Sequence, residues 1–309
     1  MKLNPHQVYV LEEFAEDYLE RRLSRRDLIH KALLITGSVP LAATSLLALG
    51  CGDSDEDAET AATQPPPSPT IGAGDSVAED DPAIQAQAIT YPGPAGELKG
   101  YLARPRSGGP GAGIIVIHEN RGLVPHISDV ARRYAKEGFV ALAVDMASRG
   151  GGSTEDTNQN MALLMQTQPA DHVMDLQAGL NYLKSQSFVR AGGLGVTGFC
   201  YGGGYTFDLA ASSQDIRAAV PFYGSVTNAL PTLPSTRAAI LVVYGGNDTR
   251  ITSQQPQVEQ ALAGKTFEIK VYEGANHAFF NDTGGSYNPQ AAADAWPLAV
   301  GWLRRHLTG

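Results

Sequence analysis

Much that would classify a chain quickly is scarce or missing here. There are two cysteines in 309 residues, Cys51 and Cys200. They fall in segments of very different composition, so they do not read as a structural disulfide. No grouping of Cys, His and Asp has zinc-ligand spacing. His118-Glu119 comes near a zinc motif, but Gly122 stands where His-Glu-x-x-His needs its second histidine. A convincing membrane span is also missing. The most apolar stretch, 32–49, carries Gly37, Ser38, Pro40, Thr44 and Ser45. Basic surplus is absent as well. Of 32 acidic and 23 basic residues, 15 acidic and six basic lie in 1–87, which leaves 17 of each in 88–309. The net charge of −9 therefore belongs to the N-terminal part, and no basic patch argues for nucleic acid.

What is present begins with an address. Ser24-Arg25-Arg26-Asp27-Leu28 precedes the weakly apolar stretch, as in a twin-arginine (Tat) export signal. Residues 1–50 are accordingly expected to be a signal segment; an uncleaved anchor helix is the alternative. Leu47-Ala48-Leu49-Gly50 ahead of Cys51 resembles the lipobox of bacterial lipoproteins, which implies lipidation at Cys51 and attachment to a membrane facing the periplasm or cell exterior. The other reading is a cysteine that merely follows the signal. Residues 51–87 hold nine Asp and Glu, no Lys or Arg, and Pro65-Pro66-Pro67-Ser68-Pro69. Such a composition buries too little surface to offset ordering, so the segment reads as a disordered tether.

Residues 88–309 read as one α/β domain. Buried strands are expected at 113–118, 140–144, 194–197, 218–222, 239–244 and 267–272, with an opening strand at 98–104. Helices are expected at 127–136, 169–185, 258–263 and 291–307. This alternation implies a mainly parallel sheet flanked by helices, with its site at the carboxyl ends of the strands. Three motifs stand at such ends. Gly198-Phe199-Cys200-Tyr201-Gly202 follows a strand and opens a helix, the layout of a nucleophile elbow with Cys at its apex. Asp248 follows the strand at 239–244, and His277 the strand at 267–272. Nucleophile, acid and histidine in that order match an α/β-hydrolase triad, in which the backbone N–H groups of Tyr201 and Asn120 would form the oxyanion hole. Gly193-Leu194-Gly195-Val196-Thr197-Gly198 spells a dinucleotide fingerprint, but its first glycines precede the strand, so no nucleotide cofactor is expected, and no metal.

With His118-Glu119, 145–149, the Cys elbow, Gly246-Asn247-Asp248 and His277-Ala278-Phe279, the chain resembles the dienelactone hydrolase (carboxymethylenebutenolidase-like) family of α/β-hydrolases. The resemblance implies a cofactor-free hydrolase of small ester or lactone substrates working through an acyl-enzyme. It implies that Glu119 contacts the thiol and takes its proton when substrate binds; a carboxylate paired with arginine for structure alone is the other reading. It implies a substrate-carboxylate contact from Arg149, which otherwise reads as a surface charge in a glycine-rich loop. The family's second such arginine is replaced by Asn281. That departure favours, as an alternative, a carboxylesterase or thioesterase without lactone specificity. A tethered binding protein without turnover is a more distant one.

Overall fold

The computed structural model describes residues 3, 5–19, 23–37, 42–43 and 76–307. Cys51 and most of the expected tether lie outside them. The body is an eight-stranded sheet in the order β1-β2-β4-β3-β5-β6-β7-β8. β1 (Ile84–Gly93) and β2 (Gly96–Pro105) form an antiparallel hairpin, and β2 runs antiparallel to β4 (Val140–Val144). From β4 onward, β3 (Gly111–Ile117), β5 (Val189–Phe199), β6 (Ile216–Phe222), β7 (Ala239–Gly245) and β8 (Phe267–Tyr272) are parallel. Every residue of β4 and β7 is buried, as expected for strands covered on both faces.

Two helical layers provide that cover. On one face α3 (Pro125–Lys136) meets α9 (Pro289–Leu307), with the Tyr134 and Trp296 rings 4.5 Å apart. On the other, α5 (Pro169–Ser185) meets α6 (Tyr201–Ser212), with His172 and Tyr205 5.3 Å apart. Proline at the first turn of α3 and α5 fits a position whose N–H has no intrahelical acceptor. α4 (Thr157–Gln166) is capped by Asp156, whose side chain accepts from Asn158 and Gln159 N–H. Two short helices, α7 (Thr249–Thr252) and α8 (Gln255–Ala261), follow β7.

One boundary needs correction. Order begins earlier than residue 88. β1 starts at Ile84, and Val77 is buried, its N–H donating to Asp129 Oδ1 at 2.7 Å. The Arg132 guanidinium donates to Val77 O, so two side chains of α3 fix a stretch that composition alone assigns to the tether. The Gly193–Gly198 run lies inside β5, with Gly198 abutting the elbow. Two described helices of the N-terminal segment also pack here. α1 (Pro5–Leu19) and α2 (Arg25–Thr36) pack on each other, and α2 packs on α4. Arg25 and Arg26 stand exposed at the start of α2, behind a Ser24 cap. Among the described residues no helix is long and apolar enough to cross a membrane.

Candidate active site

The elbow forms because the backbone there can come closer than side chains allow. A Cβ on Gly202 would lie 2.4 Å from Ile117 O, and one on Gly198 2.2 Å from Gly202 O. Glycine at both positions lets α6 begin directly over the end of β3. Cys200 sits at the apex with φ 53° and ψ −115°, a conformation that costs a non-glycine residue about 1–3 kcal/mol. Its own backbone holds it there: its N–H donates to Phe222 O at 3.1 Å and its C=O accepts from Gly204 N–H at 3.1 Å. Tyr201 is the first residue of α6, so its N–H points out of the helix's first turn.

The structure brings Cys200, His277 and Asp248 together. Asp248 Oδ2 meets His277 Nδ1 at 2.5 Å, while Oδ1 accepts from Ile251 N–H at 3.3 Å, so the carboxylate is oriented by two elements. Asn247, from the motif that carries Asp248, ties the acid loop to the histidine loop. Asn247 Nδ2 donates to Asn276 Oδ1 at 2.9 Å and to Gly274 O at 3.2 Å. Tyr223, which motif reading passed over, directly follows β6 with φ 38° and packs its ring 5.1 Å from that of His277. Tyr223 carried no motif, and only its place at a strand end could have marked it. His277 Nε2, Glu119 Oε1 and Tyr223 Oη are buried and make no hydrogen bond of normal geometry to any described residue. A ring nitrogen of His277 lies within 4.8 Å of Cys200 Sγ.

The charges are set by burial first. Cys200 is 3% exposed; burial, and then the Glu13 carboxylate, push its thiol up to about 11. Burial opposes a charge on His277, but Asp248 outweighs it and raises the imidazole above its ordinary range. Burial likewise works against ionised Asp248, and the facing imidazole reverses that and lowers it. The resting pair is thus a neutral thiol beside a histidine held basic.

His118 positions the loop after β3. Its Nε2 accepts from Met146 N–H at 3.1 Å, so the ring carries its proton on Nδ1 and donates to Glu119 O at 2.6 Å. Burial lowers its pKa, in keeping with that neutral form. Glu119 is buried, but it does not hold the thiol as the resemblance implied. Its Oε2 accepts from Asn281 Nδ2 at 2.7 Å, and Thr283 fixes the amide by donating to Asn281 Oδ1 from N–H at 3.0 Å and Oγ1 at 2.7 Å. The thiol turns to Glu13 of α1, with Sγ to Oε2 at 3.4 Å. Arg149 also departs from expectation. Asp175 takes its Nε at 2.8 Å and Nη2 at 3.0 Å, and Asp171 takes Nη1 at 3.2 Å, so the guanidinium braces α5. Among the described residues, the three side chains close enough to share a metal are Glu13, Cys200 and His277, whose ligand atoms lie within 4.8 Å of one another.

A cavity of about 270 Å3 opens beside Cys200, between Val8 and Glu12 of α1 and the neutral polar side chains of Ser225, Thr227, Asn228 and Gln254. With that geometry in place, likeness to known proteins becomes informative. The model of the dienelactone hydrolase family matches residues 98–307.

The chain belongs to the dienelactone hydrolase family.

A "Putative carboxymethylenebutenolidase" of Methylorubrum extorquens is 33% identical over 251 residues, covering 76% of this chain and 86% of that protein. A "Probable 2-oxo-3-(5-oxofuran-2-ylidene)propanoate lactonase" of Bradyrhizobium is 35% identical over 225 residues, covering 68% and 90%. The crystal structure of a "Putative Dienelactone Hydrolase" from Klebsiella pneumoniae superposes with a TM-score of 0.66 at 31% identity, covering 72% of this chain and 99% of that one. The body described above is thus that of a dienelactone hydrolase-family enzyme, a hydrolase of the carboxylic ester class. The N-terminal helices lie outside the matched region.

Proposed function

We propose that this family member hydrolyses ester or lactone bonds through a thioester on Cys200, with His277 as base and Asp248 as the group that orients it. The observation that carries the reading is the elbow itself: Cys200 at a strained apex, His277 facing its sulfur, and Asp248 on the ring's far nitrogen. In this mechanism Cys200 Sγ attacks the substrate carbonyl carbon as its proton passes to His277 Nε2. The oxyanion is held by the N–H groups of Tyr201 and Asn120, each such donor contributing about 3 kcal/mol. The C–O bond breaks, the leaving oxygen takes the proton from His277, and a thioester remains. Water, deprotonated by His277, then attacks the thioester; the thiolate leaves and is reprotonated, and the acid departs. Asp248 keeps the Nε2 lone pair aimed at sulfur throughout. Glu119 is assigned the second carboxylate at the thiol. In the resting arrangement Asn281 Nδ2 donates to its Oε2, and its Oε1 is buried without a hydrogen-bond partner among the described residues, so His277 alone takes the thiol proton in this scheme.

Substrate choice is where a second reading has support. A lactone carrying its own carboxylate needs a cation to receive it. Arg149 is engaged by Asp175, and Asn281 offers only a neutral amide. Both facts favour a broad carboxylesterase or thioesterase activity on uncharged acyl groups. A panel of a dienelactone and simple aryl esters under reducing conditions tests both readings. Aryl-ester turnover with a Cys200-dependent burst is expected, with the dienelactone the poorer substrate. A dienelactone rate far above the aryl esters defeats the second reading, and no burst on any ester defeats the first.

Export through the twin-arginine route and lipidation at Cys51 belong to the same proposal, on the sequence signals alone. Radiolabelled palmitate incorporation that disappears in Cys51→Ala is the expected result. An unlabelled, cytoplasmic protein would contradict it.

A further inference from the structure

The first helix of the chain is built into the candidate active site. α1 buries Val10, Leu11, Phe14 and Ala15, each 4% exposed or less. This apolar stripe places Glu13 at the nucleophile. Its Oε2 accepts from Cys200 Sγ at 3.4 Å, and both its oxygens lie 3.4 Å from Asn120 Nδ2. α2 holds α1 in position. Gln7 Nε2 donates to Ile35 O at 3.1 Å, and Lys31 Nζ lies 4.7 Å above the Phe14 ring. The solved Klebsiella relative is covered over 99% of its length by a match taking in only 72% of this chain, and the family match begins at residue 98. The helical pair is therefore an addition to a body that relatives build without it.

A carboxylate wedged between the nucleophilic sulfur and the oxyanion loop has the chemistry of the acid that ester hydrolysis releases. We propose that the α1–α2 pair is an internal stopper of this site, in which the Glu13 carboxylate stands as a product mimic against Cys200 until the pair is displaced or removed. The proposal rests on Cys200 being the nucleophile for its effect on turnover, but not for its effect on access to the thiol. It accounts for why the thiol is turned to Glu13 and not to Glu119, and for why so small a cavity remains. A stoppered thiol stays protonated, hidden from ester and shielded from oxidants, since the thiolate is the form that both alkylating agents and peroxides attack. Where residues 1–50 are a signal that is cut off, the same cut would open the enzyme.

The test uses the full chain with Cys51→Ser, so that only Cys200 can react. Leu11→Asp with Phe14→Asp removes the apolar docking without touching the body. If the stopper holds the site closed nine times in ten, opening it raises the rate of iodoacetamide alkylation at Cys200 by about tenfold. Turnover of an aryl ester should rise in parallel. A specific protease site placed near residue 60 gives a second route if the double variant does not fold. Cut chain, diluted until the pair dissociates, should show the same gain. Alkylation of the intact chain as fast as that of the opened chain overturns the stopper. Faster alkylation without any ester turnover keeps the stopper and overturns the thiol-hydrolase reading instead.

Discussion

The two walls of this site are built differently. The floor, β5 to α6, is made by backbone: glycines that admit no Cβ, a carbonyl of β3 beneath α6, and an apex residue pinned through its own N–H and C=O. The roof, α1 with α2, is held among the described residues by side chains, including an apolar stripe, the Gln7 amide on Ile35 O, Lys31 over the Phe14 ring, and Glu13 reaching the sulfur. A floor of the first kind has one geometry, because moving it breaks the sheet. A roof of the second kind is what the proposed stopper requires, since side-chain contacts can separate without breaking the sheet. The difference teaches that the chemistry and its control are separable here, and each experiment below presses on one side of that division.

The largest effect should come from the floor. Cys200→Ala is expected to lower ester turnover by about 10,000-fold or more while leaving the fold intact, and Asp248→Asn by a similar order through the wrong imidazole tautomer. Steady-state rates with melting curves check both. Retention of most activity in either variant would mean that the floor does not do the chemistry.

This floor is also the part most legible in the sequence. Val140–Val144, Pro169–Ser185 and Phe267–Tyr272 come out at the residues expected, since continuous apolar runs and an amphipathic stripe with proline at its start leave few choices. The elbow, Asp248 and His277 were readable because each sits where a strand ends. What could not be read depended on long-range partners. β1 follows an acidic stretch and alternates weakly, and it exists because β2 offers it a ten-residue edge. Val77 is ordered by Asp129 and Arg132, side chains more than fifty positions away. Arg149 was read by its place in a motif, whereas its destination is decided by Asp175 on α5. The roof reads in sequence as an export address and not as docked helices, because nothing local specifies the surface that those helices meet.

A second experiment asks whether the body stands by its own contacts. Asp282 is 4% exposed and receives His126 Nδ1 at 2.9 Å and the Arg133 guanidinium. Burial opposes its charge, but those partners carry its pKa down to about 2. A carboxylate depressed on folding contributes stability that is present above its unfolded pKa and lost as pH falls toward the folded one. Asp282→Ala should therefore cost about 3 kcal/mol at pH 7 by leaving Arg133 and His126 without their acceptor. The deficit should shrink as pH drops from about 4 toward 2. Denaturant titrations at several pH values check this; a deficit unchanged down to pH 2 would remove Asp282 from the account.

Asn281→Arg probes substrate choice. A guanidinium at this position would face Glu119 and offer a cation to a substrate carboxylate. The ratio of dienelactone to aryl-ester kcat/KM should rise by about tenfold. An unchanged ratio would show that the neutral amide is not what limits lactone use.

The smallest effect belongs to the contact between the walls. Glu13→Gln keeps the apolar docking but removes the charge at the sulfur. The pH midpoint for alkylation of Cys200, expected near 11 in the parent chain, should move down, so that more thiolate is present at any given pH. An unmoved midpoint would mean that burial alone sets the thiol and that Glu13 is a bystander.

The central claim, that Cys200 carries the acyl group, has one direct measurement. The opened chain is mixed with a slowly deacylating aryl ester, quenched in acid within the burst, and its peptides are weighed. The account predicts the acyl mass on the peptide bearing Cys200, in an amount matching the burst, and none in Cys200→Ala. Ester hydrolysis with no adduct on that peptide, or with the adduct elsewhere, would contradict it.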